Sequence, residues 1–531
     1  MKFYLMTQGG YGKIYKEPTR TTICKRMPKR DQHRIDLYST IVELGVTSSI
    51  QSIQGTPRAR SIELTHNSAL IYMHHHGEPL NKWLDKLHPA MRPVDGPRVL
   101  RSVIFTLLHL LSVGILHTDL KPCNILVKND CMTTLIDYNC VSVVGIEYDF
   151  DDAQRPSAYA ALSGGHPARV VYTASVGTFS FLAPELVFTG RPTPTSCVWS
   201  LALLALLIYA NEYPIPEAIT HDADRQWYNT QKEWKQIHRT LQSSGSPVLA
   251  IPKYALEAFG NDYQVLTWVQ QALSWEPLAR PTLPDIAKIM MGGSLPAYPL
   301  PAIEAIADPT LVPRDLRVVM IDRLYNIAID TKRQTWFSHA MYIFDVALLY
   351  VGRREHQRFT VSTSEEPPPT PAASAASTPA VPPPSGTSTH VTSTPVAATS
   401  VAPASSAPSS SLSENGFSVL AAACWVMSGC FHNEYVFDEP MHIESIRTYF
   451  KQTQGSVSTP ISREHISQRM WMLGEALEWR IWARPLDVVL YEDYNIKLTF
   501  GQLRDVFVKI DRPWTPSVLA ANIAFGETKR A

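Results

Sequence analysis

The sequence predicts an α+β fold at the N-terminal end of the chain, followed by an all-α domain. Short strand-like segments lie between Phe3 and Met73, each bounded by turn residues. A long apolar run from Val99 to Leu116 has the length of a helix rather than of a strand. After Gly293 the glycine-rich loops stop and helical patterning takes over. These three observations divide the chain into a mixed domain and a helical domain.

Shifts in composition predict the domain boundaries. The chain has 531 residues, and at about 150 residues per domain that length allows two to four domains. We assign 1–293 to the first domain and 294–359 and 416–531 to the two parts of the helical domain. The segment 360–415 between them consists mainly of Pro, Ser, Thr and Ala. It cannot bury enough apolar surface to offset its ordering entropy, so we expect it to be disordered.

Charge and cysteine content exclude several function classes. Lys plus Arg number 48 and Asp plus Glu number 48, so nothing in the net charge favours nucleic acid or a membrane surface as a partner. The seven cysteines form no CxxC pair, which favours reduced thiols. The longest apolar stretch, Trp199 to Ala210, is about half the length that spans a bilayer, and the N-terminus is too weakly apolar for a signal peptide. We therefore expect a soluble protein of the cytoplasm or nucleus.

The first strand leads into a glycine-rich loop. Glycine lets the backbone approach a phosphate closely and turn its N–H groups towards it. A plain hairpin turn would explain the same glycines equally well, so neighbouring motifs must decide. The candidate phosphate-binding residues of this loop are Thr7, Gly9, Gly10, Tyr11, Gly12 and Ile14.

The next strand, Thr22-Ile23-Cys24-Lys25, ends on a lysine. Such a lysine needs an acidic partner to hold it in place, and a helical run from Asp31 to Leu44 comes after it. Asp36 and Glu43 both lie on that run, and their spacing does not choose between them.

Three consecutive histidines, His74 to His76, come after the strand-like Ala69–Met73. Consecutive residues of an extended chain point to alternate faces, so they cannot easily share one metal ion. A surface at a hinge between two lobes is the favoured interpretation.

An acid, a base and an amide are set at short, fixed spacings after the apolar helix. They are Asp119, Lys121 and Asn124 in the stretch His117 to Asn124, which precedes the strand-like Ile125-Leu126-Val127. The order is therefore helix, polar loop, strand. A further acid, Asp137, ends the next strand-like segment, Thr134-Leu135-Ile136.

Together these motifs resemble, in the correct order, those of eukaryotic-type protein kinases over 1–293. The remaining landmarks are Ser175-Val176-Gly177-Thr178, Ala183-Pro184-Glu185, Trp199-Ser200-Leu201 and Ala279-Arg280-Pro281-Thr282. Lys121 followed by Pro122 is similar to the serine/threonine branch of that family. The resemblance implies a bilobal protein-kinase-like fold that transfers the γ-phosphoryl group of ATP, with Mg²⁺, to hydroxyl groups of protein substrates.

The resemblance also implies a role for each motif residue. Asp119 would orient the substrate hydroxyl, Lys121 and Lys25 would offset phosphate charge, and the glycine-rich loop would cover ATP. Asn124 and Asp137 would hold Mg²⁺. The activation segment would include Thr173, Ser175, Thr178 and Glu185, with Glu185 in a buried ion pair with Arg280.

Three residues depart from the kinase pattern. Thr118 replaces the arginine that binds a phosphate on the activation segment, which puts switching by phosphorylation at Thr173 or Ser175 in question. Cys197 replaces an aspartate that anchors the catalytic loop, and Asn139 replaces a glycine, although asparagine still tolerates positive φ. None of these removes a group that touches ATP. We therefore expect catalysis, with a pseudokinase scaffold as the alternative.

The helical domain resembles a cyclin box, and an unrelated helical bundle is the alternative interpretation. The matching segments are Leu316 to Leu324, Ala340 to Asp345, Ala422 to Val426 and Leu473 to Ile481. On the first of them, Leu316, Val319, Met320 and Leu324 would form one apolar face. A divergent kinase with a short N-terminus and a fused regulatory domain also resembles the proteins of large DNA viruses, in a herpesvirus-like style.

The positions through which cyclins bind a separate kinase carry Cys430, Met470 and Arg323 here. This favours the tethered kinase domain as the partner, because a linked domain meets its target at roughly millimolar effective concentration. We expect the helical domain to pack on the helix 31–44 and to position the acidic partner of Lys25. A cyclin mimic that recruits a separate kinase is the other possibility.

Overall fold

The structure, a computed structural model, describes eleven stretches of the chain. They are 4–9, 12–17, 22–28, 35–65, 67–148, 168–173, 177–211, 227–292, 314–351, 414–432 and 462–510. The predicted domain boundary at 293–294 lies outside the described residues, and so does the predicted disordered insertion up to residue 413. Residues 414–415, assigned to the insertion from the sequence, already belong to a helix.

Among the described residues, an antiparallel five-stranded sheet and one helix form the N-terminal lobe. The strands run in the order β1-β2-β3-β5-β4, and the helix α1 covers the inner face. Alternating side chains of β5 are buried, as expected for a strand with one face on a core. The elements are β1 (Tyr4–Gly9), β2 (Gly12–Lys16), β3 (Thr22–Pro28), α1 (Ile35–Ser49), β4 (Ala59–Leu64) and β5 (Ser68–His74).

The second lobe is mainly helical and carries short strands at the boundary between the lobes. Helix α5 is buried on every side, which explains its continuous apolar sequence. The elements are β6 (Glu78–Pro79), α2 (Leu80–Lys86), α3 (Arg92–Ser112), β7 (Ile115–Leu116), β8 (Ile125–Val127), β9 (Thr133–Leu135), β10 (Ser142–Tyr148), β11 (Ala168–Tyr172), α4 (Pro184–Thr189), α5 (Ser196–Ala210), α6 (Trp227–Gln242), α7 (Lys253–Glu257), α8 (Tyr263–Ala272) and α9 (Leu283–Met290).

Within the described part of the chain, no helix is both long enough and apolar enough to cross a membrane. The predicted helix Val99–Leu116 was wrong at its end. Helix α3 ends at Ser112, and Leu116 lies in the short strand β7, which pairs with β10. Gly114, at φ 74°, makes the turn between helix and strand.

Among the described residues, six helices form the C-terminal domain. Its centre holds large aromatic side chains, including Trp336 and Trp425, and a buried ion pair in which Arg317 donates to both oxygens of Asp345 at 3.0 and 2.9 Å. Arg317 also donates to two carbonyls at the end of the last of these helices, so one side chain joins three helices. The helices are α10 (Arg314–Asp330), α11 (Thr335–Val351), α12 (Glu414–Phe431), α13 (Arg463–Ala476), α14 (Leu486–Glu492) and α15 (Phe500–Lys509).

Two details of the predicted helical pattern were wrong. Val319 was assigned to the buried face of α10, yet it is exposed, and Ile321 is buried instead, since the core face of the helix is rotated from the predicted one. Helix α13 ends at Ala476 and does not reach Ile481. Glu478 and Trp479 have φ of 52° and 60°, a left-handed conformation that ends a helix.

The helical domain packs against α1 and the end of α3. A Cβ added to Gly45 of α1 would lie 2.5 Å from the ring of Phe431, so the two helices touch at a position that admits no side chain. Trp482 lies in the same contact. Its backbone N–H donates to the Ser49 hydroxyl at 3.1 Å, and its indole N–H donates to the Val113 carbonyl at 3.1 Å. The helical domain therefore contacts the helix that carries Glu43.

Candidate active site

Lys25 sits between two carboxylates under the N-lobe sheet. Its Nζ donates to Glu43 Oε1 at 2.9 Å and to Asp137 Oδ1 at 2.7 Å. Of the two acids that the sequence left open, Glu43 is thus the partner in the structure, and the side chain of Asp36 lies outside the described residues. Strand β3, helix α1 and the segment after β9 each supply one member of this chain of charges.

Lys25, Glu43 and Asp137 shift one another's pKa values. Burial alone would lower the pKa of Lys25, but Asp137 and Glu43 outweigh it and raise that pKa above its usual value. Burial alone would raise the pKa of Asp137, but the nearby Lys25 ammonium outweighs burial and lowers that pKa below its usual value. At Glu43 burial outweighs the effect of Lys25, so the pKa of Glu43 is raised. The lysine is therefore charged, and Asp137 is the carboxylate held in its ionised form.

Three residues, Asn124, Lys121 and Thr178, contact the Asp119 carboxylate. The Asn124 amide donates to its backbone carbonyl and to its Oδ2, both at 2.9 Å, and Lys121 Nζ lies 2.7 Å from Oδ2. Thr178 donates to Oδ1 through its backbone N–H at 2.8 Å and its hydroxyl at 2.7 Å. Lys121 also donates to the Thr178 hydroxyl at 2.7 Å. Burial alone would lower the pKa of Lys121, but the Asp119 carboxylate outweighs burial and raises that pKa.

Sequence reasoning assigned Thr178 to the activation segment and missed its contact with Asp119. No spacing could reveal that contact, because the two residues are far apart in the chain. The only signal was that Thr178 comes after a glycine, Gly177, where a Cβ would lie 2.6 Å from the Thr118 carbonyl. Because the backbone at Gly177 lies so close to the loop 117–124, the neighbouring Thr178 can hydrogen-bond to Asp119.

His117 and Thr118 connect the loop 117–124 to the segment after β9 that carries Asp137. Burial lowers the pKa of His117, so the neutral ring donates from Nε2 to the Ile136 carbonyl at 3.0 Å. The Thr118 hydroxyl donates to the Cys140 carbonyl. Where the family pattern has an arginine, this chain therefore has a neutral hydroxyl bound to backbone.

The positive φ at this turn falls on Asp137. Because asparagine tolerates positive φ, the sequence left that conformation feasible at Asn139, but Asp137 itself has φ 72° and ψ 68°. Asn139 lies in a short 3₁₀ turn, where its buried amide has no hydrogen-bond partner among the described residues. The strained residue is thus the acid whose carboxylate meets Lys25.

The donor set fits a divalent cation bound together with a nucleotide. Mg²⁺ is commonly held by one or two carboxylates with substrate phosphates, so Asp137 and the amide oxygen of Asn124 suffice. The Asp137 side chain is 28% exposed, which leaves it open to a ligand. No group of three or more His, Cys, Asp or Glu able to hold a metal occurs among the described residues, and His74 to His76 are therefore not such a group.

The glycine-rich loop folds as the hairpin β1–β2. Thr7 pairs with Ile14 and Gly9 with Gly12, while Gly10 and Tyr11 lie outside the described residues. A Cβ on Gly12 would lie 2.8 Å from the Arg26 carbonyl, so glycine is required for the close pairing with β3. This hairpin hydrogen-bonds to the strand that carries Lys25.

The activation segment begins as the hairpin β10–β11 and ends at a buried ion pair. The Thr173 hydroxyl accepts the Val143 N–H at 2.9 Å, and Ser175 lies outside the described residues. Arg280 donates to both oxygens of Glu185 at 2.8 Å, with its guanidinium over the Trp199 ring. Cys197, in the place of the anchoring aspartate, donates to Pro194 instead.

The sequence is similar to those of known proteins whose family accounts for this arrangement of side chains. A family model described as protein kinase domain matches residues 4–290, more than half of the 531 residues. The chain belongs to the protein kinase family. The α+β fold of this kinase domain is thereby confirmed, and membership implies the use of ATP and a divalent cation.

Curated relatives of the kinase are distant and cover it in part. It is 23% identical over 209 residues to the L-type lectin-domain containing receptor kinase V.5 of Arabidopsis thaliana, 38% of this chain and 29% of the relative. It is 28% identical over 182 residues to a protein kinase and PP2C-like domain-containing protein of Oryza sativa subsp. japonica, 33% of this chain and 25% of the relative. It is 25% identical over 253 residues to the probable serine/threonine protein kinase IRE of Arabidopsis thaliana, 43% of this chain and 21% of the relative. The chain thus spans less than a third of the length of these relatives.

Proposed function

We propose that the protein is an ATP- and Mg²⁺-dependent serine/threonine protein kinase with a fused regulatory helical domain. The observation that carries the proposal is the Asp119 carboxylate, held by Asn124, Lys121 and Thr178 beside the Lys25–Glu43–Asp137 chain. A scaffold has no need to hold these groups together.

Phosphoryl transfer asks the protein mainly for positioning and for compensation of charge. ATP with Mg²⁺ supplies the phosphoryl group and neutralises part of its charge. Lys25, placed by Glu43, would bind the phosphates, and Asp137 with Asn124 would hold the cation. Asp119 would accept a hydrogen bond from the substrate hydroxyl and orient it, while Lys121 offsets charge on the phosphoryl group.

Specificity for serine and threonine rests on the residues around Asp119. Lys121 is followed by Pro122, and Lys121 and Thr178 both reach the catalytic carboxylate. Two relatives from Arabidopsis thaliana, IRE and IREH1, are named as probable serine/threonine protein kinases. The protein substrates would be Ser- and Thr-containing proteins.

A radiolabelled-phosphate assay on the full chain tests the proposal. Asp119→Asn and Asp137→Ala are each expected to abolish transfer to a mixed Ser/Thr protein substrate. Asp330→Asn is the matched control, because Asp330 is an exposed acid at the end of α10 in the helical domain. Full transfer by Asp119→Asn would refute the assignment.

A pseudokinase scaffold is the second candidate, and the residues Thr118, Cys197 and Asn139 motivate it. Thermal stabilisation by ATP and Mg²⁺ without transfer to any substrate would favour the scaffold.

The helical domain would act as a cyclin-like regulator of its own kinase domain. The contacts of Trp482 with Ser49 and Val113, and of Phe431 with Gly45, support this assignment, because Ser49 and Gly45 lie on the helix that carries Glu43. Co-purification of a separate kinase would instead favour the cyclin mimic. Cytoplasmic or nuclear location and a viral source stay predictions from the sequence.

A further inference from the structure

The hairpin β10–β11, at the start of the activation segment, is the part of the kinase domain that packs against α14 and α15 of the helical domain. Strand β10 pairs with β11 from Val144↔Tyr172 to Tyr148↔Ala168, and on its other edge with β7. At the C-terminal end of β11 the Thr173 N–H donates to the Val143 carbonyl at 3.0 Å. Residues 174–176 lie outside the described residues, and Thr178, beyond them in the sequence, donates to Asp119.

The helical domain contacts this hairpin through Asp487. The Tyr148 hydroxyl donates to Asp487 Oδ2 at 3.0 Å, and both residues are buried. The Tyr148 ring lies against Phe500 of α15, with centroids 5.3 Å apart. A Cβ on Gly145 would lie 3.5 Å from the His432 ring, so β10 passes directly under the end of α12.

Asp487 is placed to accept this bond. It is in the first turn of α14, and its Oδ1 accepts the Val488 N–H at 3.1 Å. Burial raises its pKa to about 6 even though hydrogen bonds from Tyr148 and Ser338 oppose the rise. At neutral pH it is therefore a buried carboxylate that depends on these donors, and removing one leaves it under-satisfied.

We propose that Asp487 and Tyr148 are positioning residues through which the helical domain holds the hairpin β10–β11, at the start of the activation segment, in the conformation that binds the protein substrate. The contact takes the place of a clamp between an arginine and a phosphate, for which this chain has Thr118 bound to backbone. The segment is thereby held without phosphorylation. The proposal rests on the proposed kinase function, because its consequence for catalysis passes through Thr178 to Asp119.

Hydrogen–deuterium exchange on the full-length protein tests the contact without needing catalysis. Tyr148→Phe removes one oxygen and should speed amide exchange in residues 142–148 and 168–172 by about 5- to 100-fold, the shift expected when a buried polar group loses a partner. Asp487→Asn keeps an acceptor but not the charge, so a smaller increase is expected.

Tyr209→Phe is the matched control. Tyr209 donates to Asp262 at 2.6 Å, a bond of the same chemistry that joins α5 to the start of α8 and does not touch the hairpin. It should leave exchange in 142–148 unchanged. Equal exchange in wild type and both hairpin variants, or equal acceleration by Tyr209→Phe, would overturn the proposal. Should Tyr148→Phe fail to fold, Asp487→Asn alone must still exceed the control.

Kinetics separates positioning from general damage. Tyr148→Phe is expected to raise KM for the protein substrate, while thermal stabilisation by ATP and Mg²⁺ stays at the wild-type value. Loss of that stabilisation would indicate a merely structural role and count against the proposal. An inactive wild type with fast hairpin exchange in Tyr148→Phe would refute the kinase function and still support the contact.

Discussion

The substitution Glu43→Gln tests the charge chain under the N-lobe sheet. Lys25 Nζ lies 2.9 Å from Glu43 Oε1, and both side chains are at most 10% exposed. A hydrogen bond to a charged group contributes about 1.5–3 kcal/mol, and glutamine keeps the acceptor while losing the charge. Since about 1.4 kcal/mol corresponds to a tenfold change in rate, we expect kcat/KM to fall by about 10- to 100-fold.

The stability of the protein should change far less than its activity. Lys25 keeps its 2.7 Å bond to Asp137, so no buried charge is left unpaired. The measurement is initial-rate kinetics over a range of ATP concentrations, with the melting temperature of each variant. Glu63→Gln is the control, since Glu63 accepts the Tyr72 hydroxyl at 3.1 Å on the exposed side of the same sheet. Wild-type kcat/KM in Glu43→Gln would refute the role given to Glu43.

Three further outcomes are expected from the packing. Gly45→Val should cost about 1–3 kcal/mol of unfolding free energy and lower activity by overpacking against the helical domain, whereas Gly501→Val, at an open position, should not; denaturant titration compares them. Arg317→Ala removes the guanidinium that donates to both oxygens of the buried Asp345 carboxylate, so unfolding free energy should fall by about 3–5 kcal/mol, and an unchanged denaturation midpoint would contradict this. Burial lowers the pKa of the His238 imidazole to about 4 in the folded protein, below its value in the unfolded chain. The folding stability that depends on this neutral ring is therefore complete above about pH 6.5 and is lost as the pH falls towards 4. Wild type should therefore lose stability faster than His238→Asn over that range.

The sequence predicted most of the side chains that the structure brings together at the candidate site and few of the contacts that hold them. Lys25, Asp119, Asn124 and Asp137 were predicted because a reaction at a phosphate needs particular side chains at short spacings along the chain. Glu43 stayed one of two candidates, since both acids lie on one helix and only packing decides which turns inward. Thr178 was found as part of a motif, but its bonds to Asp119 depend on how the activation segment folds back.

Predictions of backbone conformation and of helix faces differed from the structure where local residue preference and tertiary packing disagreed. Asparagine tolerates positive φ, so the sequence left that conformation feasible at Asn139, yet positive φ falls on Asp137, whose carboxylate accepts a hydrogen bond from Lys25. In the helical domain a periodic pattern placed Val319 on the core face, although the neighbouring helices cover the adjacent side. Helix ends at Ser112 and Ala476 were likewise set by turns that periodicity does not report.

By itself the sequence determined the order of the candidate site residues, the α+β character of the domain at 4–290 and the helical character of the described C-terminal part of the chain. These depend on residue type and on short spacing, which the chain carries directly. Only the tertiary structure decided that Glu43 pairs with Lys25, that Trp482 lies against α1 and that Asp487 meets Tyr148. Tyr148 and Asp487 are separated by 339 residues, and contacts over such a distance arise from packing, which no local pattern encodes.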